Sequence, residues 1–464
     1  MMNASGRNFH LFLHSLFSIA MWLQRNKFTV LTVCVALLIS ACGGLQSASP
    51  DRTQTFVPPA APIISDTTAA ETMLRFLENK VKNDPEDFSA NSKLAGLYLQ
   101  KLRETGDVAY LDLAFRAARA SLASVPDERN SGGLAALTQA EFAAHEFAAA
   151  RDHALRLTQL EPGKSYPQGM LGDALLELGE YEKAAAAYKK MAQIDSGITT
   201  NSEIKFARLS QLYGDNAGAQ KHFADALHFA LNQTAPPRET VAWLRWQLGE
   251  TAFAGGDYET AEKHYRDALV TFPDYYRAVA SLGKARAAQN DLPGAIEQYE
   301  KVVRILPDPN FVAALGDLYG LAGREQEATA QYALVEQIGQ LSELNGALYN
   351  RQLALFYADH DTKTEDAYKL AAKEYETRKD IYGADALAWT ALKANKIVEA
   401  QVAIKDALRL GTKDAKLFYH AGMIEKELGN KKAAADYLNK ALKLNPSFDV
   451  LQTEKAKAAL QELN

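Results

Sequence analysis

An internal repeat of 34 residues organises this chain from about Leu74 onward. Two consecutive units show the repeat most clearly, because their matched residues all lie 34 positions apart. The matched pairs are Leu248 with Leu282, Gly249 with Gly283, Ala261 with Ala295, Tyr265 with Tyr299, and Pro273 with Pro307. A unit of this length cannot bury its apolar face alone, so neighbouring units must stack around a continuous core.

The pattern within each unit predicts two helices joined by a tight turn. Apolar residues recur three and four positions apart, as at Ala261, Tyr265 and Ala268, which places them on one helix face. A Gly or Asn in left-handed conformation ends the first helix, an acidic residue caps or charges the second, and a proline ends it. The turns are Gly179–Glu180, Gly214–Asp215, Gly256–Asp257 and Asn290–Asp291, and the prolines are Pro126, Pro162, Pro273, Pro307 and Pro446.

The pattern resembles the tetratricopeptide repeat, which has Leu-Gly, an aromatic residue, a small Ala, a second aromatic residue and a closing Pro. The resemblance covers about Leu74 to Pro446 and implies an all-α fold. We expect a right-handed α-α superhelical solenoid of about ten helix-turn-helix repeats with a C-terminal capping helix. The central small residue of the ten units falls at Ala114, Ala150, Ala184, Ala219, Ala261, Ala295, Ala328, Ala367, Ala400 and Ala434.

The spacing departs from the repeat at three places, and insertions in a solenoid usually emerge as loops on one face. The extra residues lie around 103–106, in the proline-containing run 232–239, and near 339–346 with 359–362. We therefore predict repeats 1–4 in residues 67–235, repeats 5–7 in 236–340, and repeats 8–10 with the cap in 341–464. Ala456, Ala459, Leu460 and Leu463 share one face of the predicted capping helix, 448–463.

The N-terminal segment has the pattern of a bacterial lipoprotein signal. Arg25 and Lys27 precede an apolar run, 28–38, which ends in Ile39, Ser40, Ala41 and Cys42. The resemblance implies cleavage after residue 41 and diacylglycerol on Cys42, followed by a flexible Pro- and Ser-rich tether, 42–66. The alternatives are a signal peptide with an incidental cysteine and an uncleaved anchor. A conventional signal would start at Met21, and a long segment beginning at Met1 is the other possibility.

The mature chain would be acidic and free of thiols. The 51 basic and 57 acidic residues give a net charge of −6, and losing Arg7, Arg25 and Lys27 leaves 48 basic residues and a charge of −9. Such a chain has no overall field that attracts nucleic acid. Cys34 lies in the signal and Cys42 would carry lipid, so no thiol remains for a disulfide, a metal or catalysis.

Three short motifs resemble parts of catalytic or metal sites but lack essential features. Gly163-Lys164-Ser165 lacks the upstream glycine of a phosphate loop, since Thr158 stands there. His145-Glu146 is eight residues from His153, where a zinc-protease helix requires four. The three consecutive residues 359–361 (Asp-His-Asp) would need a tight bend to bind one ion. We therefore predict a non-enzymatic protein without a cofactor or metal.

The remaining functional surface is the concave face, which the family resemblance places on first-helix residues beside the packing positions. Aromatic and arginine residues are the usual anchors of protein interfaces. A register error of one position would instead bury the aromatic residues in the core. The predicted groove comprises Trp243, Trp246, Glu250, Phe253, Arg277, Lys284, Asp317, Arg351, Tyr382, Asp385, Trp389, Lys393 and Tyr419.

We therefore expect a lipid-anchored scaffold of the cell envelope that holds a protein or peptide partner in this groove. The alternative is a glycan-binding or polysaccharide-export accessory, in which exposed Trp and Tyr side chains stack on sugars. Gly43 rather than Asp follows Cys42, so similarity to the known sorting rule favours the periplasmic face of the outer membrane in a host with two membranes. In other hosts the outer face of the cytoplasmic membrane is expected.

Overall fold

A computed structural model of the chain describes Ala60, residues 65–344 and residues 351–463. The described part contains 22 α-helices and no β-strand, which confirms the predicted all-α fold. The signal segment, Cys42 and nearly all of the tether lie outside the described residues, so the predictions about them stay predictions.

Ten consecutive helix pairs follow an unpaired first helix, α1, and a short last helix, α22, closes the described chain. The helices are α1 (Ser65–Asn83), α2 (Phe88–Thr105), α3 (Ala109–Ser124), α4 (Ser131–Ala143), α5 (Phe147–Leu160), α6 (Tyr166–Glu177), α7 (Tyr181–Ile194), α8 (Thr200–Leu212), α9 (Asn216–Leu231), α10 (Arg238–Ala254), α11 (Tyr258–Thr271), α12 (Tyr276–Ala288), α13 (Leu292–Ile305), α14 (Pro309–Leu321), α15 (Glu325–Leu344), α16 (Arg351–Asp359), α17 (Thr364–Thr377), α18 (Ile381–Lys393), α19 (Ile397–Ala407), α20 (Ala415–Glu427), α21 (Lys431–Leu444) and α22 (Gln452–Leu463). Unit 1 is the pair α2 and α3, and unit 10 is the pair α20 and α21.

The turns inside the units have the predicted conformations. Gly179, Gly214, Gly256 and Asn290 have φ values of 78°, 74°, 79° and 65°, in the left-handed region. Asp215, Asp257 and Asp291 each accept a hydrogen bond from the backbone N–H three residues later, which caps the second helix.

Small residues let the two helices of a unit approach closely. All ten central alanines are buried, with at most 3% of their surface exposed. The ring of Tyr299 lies against Gly283, where an added Cβ would be 2.8 Å from ring atom Cδ2. A larger side chain would therefore separate the two helices of unit 6. This arrangement explains the Ala and Gly positions of the repeat.

The inserted residues lengthen helices instead of forming only loops, which corrects the expectation from the repeat pattern. The first helices α2 and α10 have 18 and 17 residues, whereas most first helices have 12 or 13. The second helix α15 has 20 residues, whereas most second helices have 14. Continuing a helix satisfies the backbone hydrogen-bonding groups that a loop would expose. Part of the third insertion, residues 345–350, lies outside the described residues.

The helix α22 confirms the predicted cap, although it begins at Gln452 rather than near Phe448. Ala456 and Ala459 are buried with Leu438 of α21, while Leu460 and Leu463 are half-buried against the same cluster. Among the helices of the described residues, we find none with the length and hydropathy of a membrane span.

Units far apart in sequence touch along one line, which we call the seam. The seam joins the turns inside units 3, 4 and 5 to the chain segments that follow units 8, 9 and 10. The Tyr181 hydroxyl accepts a hydrogen bond from the Ile381 N–H at 2.8 Å, and the Asn445 amide donates to the Phe253 carbonyl at 2.7 Å. These partners are 200 and 192 residues apart, or about six repeats of 34.

Glycines make this close approach possible. A Cβ on Gly179 would overlap the carbonyl oxygen of Lys379, and a Cβ on Gly214 would lie 2.6 Å from the carbonyl oxygen of Gly411. Thr412 adds a hydrogen bond to the Leu212 carbonyl beside the second contact. The described repeats therefore wind tightly enough for one superhelical turn to rest on the previous one.

Candidate partner-binding site on the concave face

Glu250 and Lys284 form the centre of a polar ladder along adjacent first helices. Their side chains are 2.8 Å apart, and Glu250 also accepts hydrogen bonds from the hydroxyls of Tyr265 at 2.6 Å and Ser281 at 2.8 Å. Burial raises the pKa of Glu250, but Lys284 and these hydroxyls lower it further, so the net pKa lies below its usual range. The carboxylate therefore stays charged and internally paired.

The two tryptophans predicted in unit 5 are half-buried. The Trp246 indole N–H donates to Ser281 Oγ at 2.9 Å, and its ring lies 5.5 Å from the guanidinium of Arg277. Trp243 meets Phe223 edge-on, with ring centroids 5.9 Å apart. Both residues are partly exposed, so their place in the groove stays a prediction.

Arg351 lies in an ion-pair cluster in units 8 and 9. Its guanidinium contacts Glu374 at 2.7 Å and Asp380 at 2.8 Å. Burial raises the pKa of Asp380, but Arg351 and Arg378 lower it to below its usual value. Arg378 also pairs with Glu177 of unit 3, so the cluster extends across the seam. Tyr382 is half-buried next to it, packed with apolar residues of units 3 and 4.

The structure corrects the expected exposure of Phe253, Trp389 and Tyr419, of whose surfaces only 6%, 1% and 0% are exposed. Phe253 packs against the ring of Tyr258 in the core of unit 5. The other two side chains are covered by neighbouring units. An exposed groove role for these three residues is therefore wrong.

Trp389 is buried because its neighbours surround the indole on several sides. His420 stacks on it at 4.3 Å with an interplanar angle of 13°, and Tyr419 lies 5.5 Å away. The indole N–H donates to Asp359 Oδ1 at 2.7 Å. Asp385 is buried too, and it accepts a hydrogen bond from His420 at 2.9 Å.

The three charged or titratable residues of segment 359–361 have separate partners. His360 bonds to Asp317 at 2.7 Å, whereas Asp359 accepts from Trp389 and Lys416. Asp361 pairs with Lys393. Their side chains thus join different units to one another instead of converging on one point.

A cavity of about 790 Å³ opens where first helices of both superhelical turns converge; we call it the seam cavity. It lies beside the turn of unit 2, between the contact of Gly106 with Leu306 and the pairing of Glu177 with Arg378. Its walls combine apolar, aromatic and charged side chains: Leu99, Leu102, Arg103, Val108, Phe142, His145, Phe147, Met170, Asp173, Glu177, Tyr276, Arg277, Leu306, Asp308, Phe311 and Arg378.

Arg277 is the predicted groove residue that reaches the seam cavity. Its guanidinium lies 5.0 Å from the ring of Tyr276, and within the described residues it forms no ion pair. Arg103 and Arg378, on other walls, pair with Glu239 and Glu177. Among the three arginines that line the seam cavity, Arg277 is therefore the one without a close ion pair to a described residue.

His145, an exposed residue that lines the cavity, has a strained backbone. Its φ of 63° is unusual for a residue other than glycine, and its ring stacks on Phe147 at 5.4 Å. Desolvation by the surrounding cavity walls first, and the charge of Arg378 second, lower the pKa of His145.

Sequence reasoning missed Gln139 and Asp173, although a signal for them was present. Asp173 follows Gly172 just as Glu250 follows Gly249, and Gln139 precedes its turn by the same number of residues. Asp173 accepts hydrogen bonds from Tyr188 at 2.8 Å and Lys205 at 2.7 Å. Applying the register of units 5 and 6 to every unit would have found both residues.

Comparison with known proteins identifies the repeat. Tetratricopeptide-repeat family models match residues 136–197, 247–310 and 415–448. The TPR repeat-containing protein YpiA of Bacillus subtilis (strain 168) is 22% identical over 294 residues, which are 63% of this chain. The match spans 58% of the length of that relative.

Solved structures match large shares of this chain, at low sequence identity. A tetratricopeptide repeat protein from Parabacteroides merdae is 16% identical over 57% of this chain and 98% of its own, with a TM-score of 0.32. PilF of Pseudomonas aeruginosa is 15% identical over 66% and 98%, with a TM-score of 0.27. Yeast Tom70 is 12% identical over 85% and 93%, with a TM-score of 0.36.

Proposed function

Because this chain is a tetratricopeptide-repeat protein, we propose that it is a non-enzymatic scaffold that holds an extended peptide segment of a partner protein in the seam cavity. The fold generally serves protein–protein interaction. The observation that carries the proposal is the cavity itself, whose 790 Å³ lies in the upper part of the roughly 300–1,000 Å³ range of ligand sites.

The chemistry of the walls favours a peptide with both apolar and acidic side chains. Tyr276 and Phe311 offer aromatic surface, and Arg277 offers a cation that forms no close ion pair within the described residues. Most other charges of the concave face, such as Glu250 and Lys284, already have partners. A partner therefore gains most binding free energy from contacts with Arg277 and with the aromatic walls.

Site-directed photocrosslinking in host cells tests this assignment. A photoreactive residue at Gln139, an exposed position on the cavity wall, should form an adduct with a partner protein, and Arg277→Glu should abolish it. The same residue at Val402, an exposed position on α19, is the matched control and should not form that adduct. Equal adducts at Gln139 and Val402, or an adduct that persists in Arg277→Glu, would contradict the proposal.

We propose further that lipid on Cys42 anchors this scaffold in the cell envelope, on the periplasmic face of the outer membrane if the host has two membranes. The support is the sequence Ile39 to Cys42 after an apolar run, followed by Gly43. A palmitate analogue should label the unsubstituted chain and should not label Cys42→Ala. Labelling of Cys42→Ala would contradict the anchor, and recovery in the inner membrane would contradict the outer-membrane location.

A further inference from the structure

The two ends of the described solenoid differ in the surface that they present. At the C-terminal end, α22 buries Ala456 and Ala459 and exposes Glu454, Lys457 and Gln461. Repeat arrays need a polar outer face at their ends for solubility. The helix α22 meets this requirement, whereas the N-terminal helix α1 does not.

The helix α1 carries two neighbouring apolar strips, of which only one is covered. Leu74, Leu77 and Val81 pack into the core of unit 1. Met73 and Phe76 are on the adjacent strip and are 50% and 59% exposed. Two large apolar side chains one turn apart on one helix form an exposed patch, and such a patch typically marks an interaction site.

The exposed strip forms one wall of a groove of about 560 Å³ between α1 and α2. The helix α1 packs on α2 as a second helix packs on the following unit, but no first helix pairs with α1 in the described residues. The other wall is α2, where a Cβ added to Gly96 would meet nothing within 4 Å. The groove thus occupies the place of a missing first helix. It is lined by Met73, Phe76, Leu77, Lys80, Ser89, Ala90, Lys93, Gly96, Leu97 and Gln100.

We propose that this groove is the docking site of the chain's own segment 56–64, of which the structure describes only Ala60. The segment reads Phe-Val-Pro-Pro-Ala-Ala-Pro-Ile-Ile and carries no charge. Its three prolines exclude a helix and favour the extended polyproline II conformation. Apolar side chains at both ends of the segment match the apolar strip of the groove.

The length of the segment fits the groove. Nine residues in polyproline II conformation span about 28 Å at 3.1 Å per residue. The 19 residues of α1 span about 28 Å at 1.5 Å per residue. Because the segment joins α1 directly at Ser65, it reaches the full length of the helix by running back along it.

The covalent connection favours this occupant over a separate molecule. A segment joined to its site by a short connection experiences a local concentration in about the millimolar range, which a second copy or a partner must exceed. Ala60 is half-buried, although it belongs to no helix. Docking leaves 42–55 as the free part of the tether, whether or not Cys42 carries lipid.

Intramolecular photocrosslinking tests the proposal in the full-length chain. Benzoylphenylalanine replaces Phe76, an exposed ring of similar shape, and mass spectrometry maps the adduct after irradiation. We expect a product within one chain that joins position 76 to segment 56–64, with a yield independent of protein concentration. The same residue at Val398, which is 67% exposed on α19, is the control and should not join that segment.

A groove-filling variant shows whether the groove itself is responsible. Gly96→Arg places a side chain in open space on a helix, so it should fold, as circular dichroism can verify. It should lower the adduct by about tenfold, which corresponds to about 1.4 kcal/mol. An adduct between two chains would overturn the proposal in favour of a second copy, and an adduct to lipid would favour a membrane surface. An unchanged yield in Gly96→Arg, or no adduct to 56–64, would also overturn it.

Discussion

The burial of Trp389 shows what the position of a residue in the repeat can and cannot predict about its surroundings. The 34-residue period places Trp389 on the first helix of unit 9, at the position that Glu250 occupies in unit 5. The repeat pattern does not show which side chains of other units contact Trp389. In the structure His420 and Asp359 enclose its indole. The position of Trp389 on its helix was therefore predictable from the sequence. Its solvent exposure was not, because that depends on side chains of two other units.

Substituting Trp389 by Ala should lower the free energy of unfolding by about 3–5 kcal/mol, because it empties a buried site. Val398→Ala, at a position 67% exposed, should change it by less than about 0.5 kcal/mol. Urea denaturation followed by circular dichroism measures both. If Trp389→Ala were as stable as Val398→Ala, the result would contradict a core role for Trp389 and favour its predicted place in the groove.

The His360–Asp317 pair should make stability depend on pH. Burial lowers the pKa of His360, but the hydrogen bond and charge of Asp317 raise it more, so the net pKa lies above the usual 6.5. A raised pKa stabilises the folded state fully below the unfolded value, and this contribution disappears as pH rises through the folded value. The stability difference between the unsubstituted chain and His360→Gln should therefore be larger at about pH 5.5 than at about pH 8.5.

Chemical denaturation at both pH values measures that difference. His228, an exposed histidine near the end of α9, provides the matched substitution His228→Gln, which removes an imidazole without removing an ion pair. Equal differences for His360→Gln at the two pH values would show that the pair does not couple folding to protonation.

At the scale of helices and turns, the sequence was most informative where conformation is local. Asn290 and Gly179 were identified as left-handed turn residues from their place after the first helix, and both have that conformation. Besides its left-handed conformation, Gly179 must leave space for the carbonyl of Lys379. That residue is 200 positions away, so this requirement leaves no periodic signal in the sequence. One glycine thus satisfies a local rule that is visible in the sequence and a distant one that is not.

Gly179→Ala and Gly429→Ala separate these two requirements. Both glycines end a first helix, with φ of 78° and 77°, but a Cβ on Gly429 meets nothing within 4 Å. Each substitution should cost about 1–2 kcal/mol for the left-handed conformation. Gly179→Ala should lose more stability than Gly429→Ala, because its Cβ would overlap the Lys379 carbonyl oxygen. Thermal melts compare the variants, and equal midpoints would indicate that the seam can shift without loss of stability.

At the scale of the described solenoid, the sequence predicted an array in which each repeat depends on its neighbours. That expectation explains why Ala295, which is fully buried between the helices of unit 6, should not tolerate Leu. The expectation of nearest-neighbour dependence is incomplete, because Asn445 of unit 10 donates a hydrogen bond to the Phe253 carbonyl of unit 5. The seam therefore adds coupling between units that nearest-neighbour stacking leaves independent.

Asn445→Ala should transmit its effect from unit 10 to unit 5. The substitution removes the hydrogen bond from the Asn445 amide to the Phe253 carbonyl, which keeps its bond from the Gly256 N–H, and should cost about 0.5–1.5 kcal/mol. Hydrogen exchange should become faster in α10 and α11 as well as in α21. Asn430→Ala, an exposed position in the same unit, should affect only α21. Unchanged exchange in α10 and α11 of Asn445→Ala would show that the seam carries no such coupling.

The seam also sets an order of events for a newly made chain. Tyr181 leaves the ribosome 200 residues before Ile381, its seam partner. At roughly 5–20 residues per second, the turn of unit 3 waits about 10–40 s for that partner. The early repeats can stack on one another during this interval, but their glycine turns stay open until the late repeats arrive. Completion of the superhelix is therefore a late step, tied to the appearance of residues 379–445 near the end of the polypeptide.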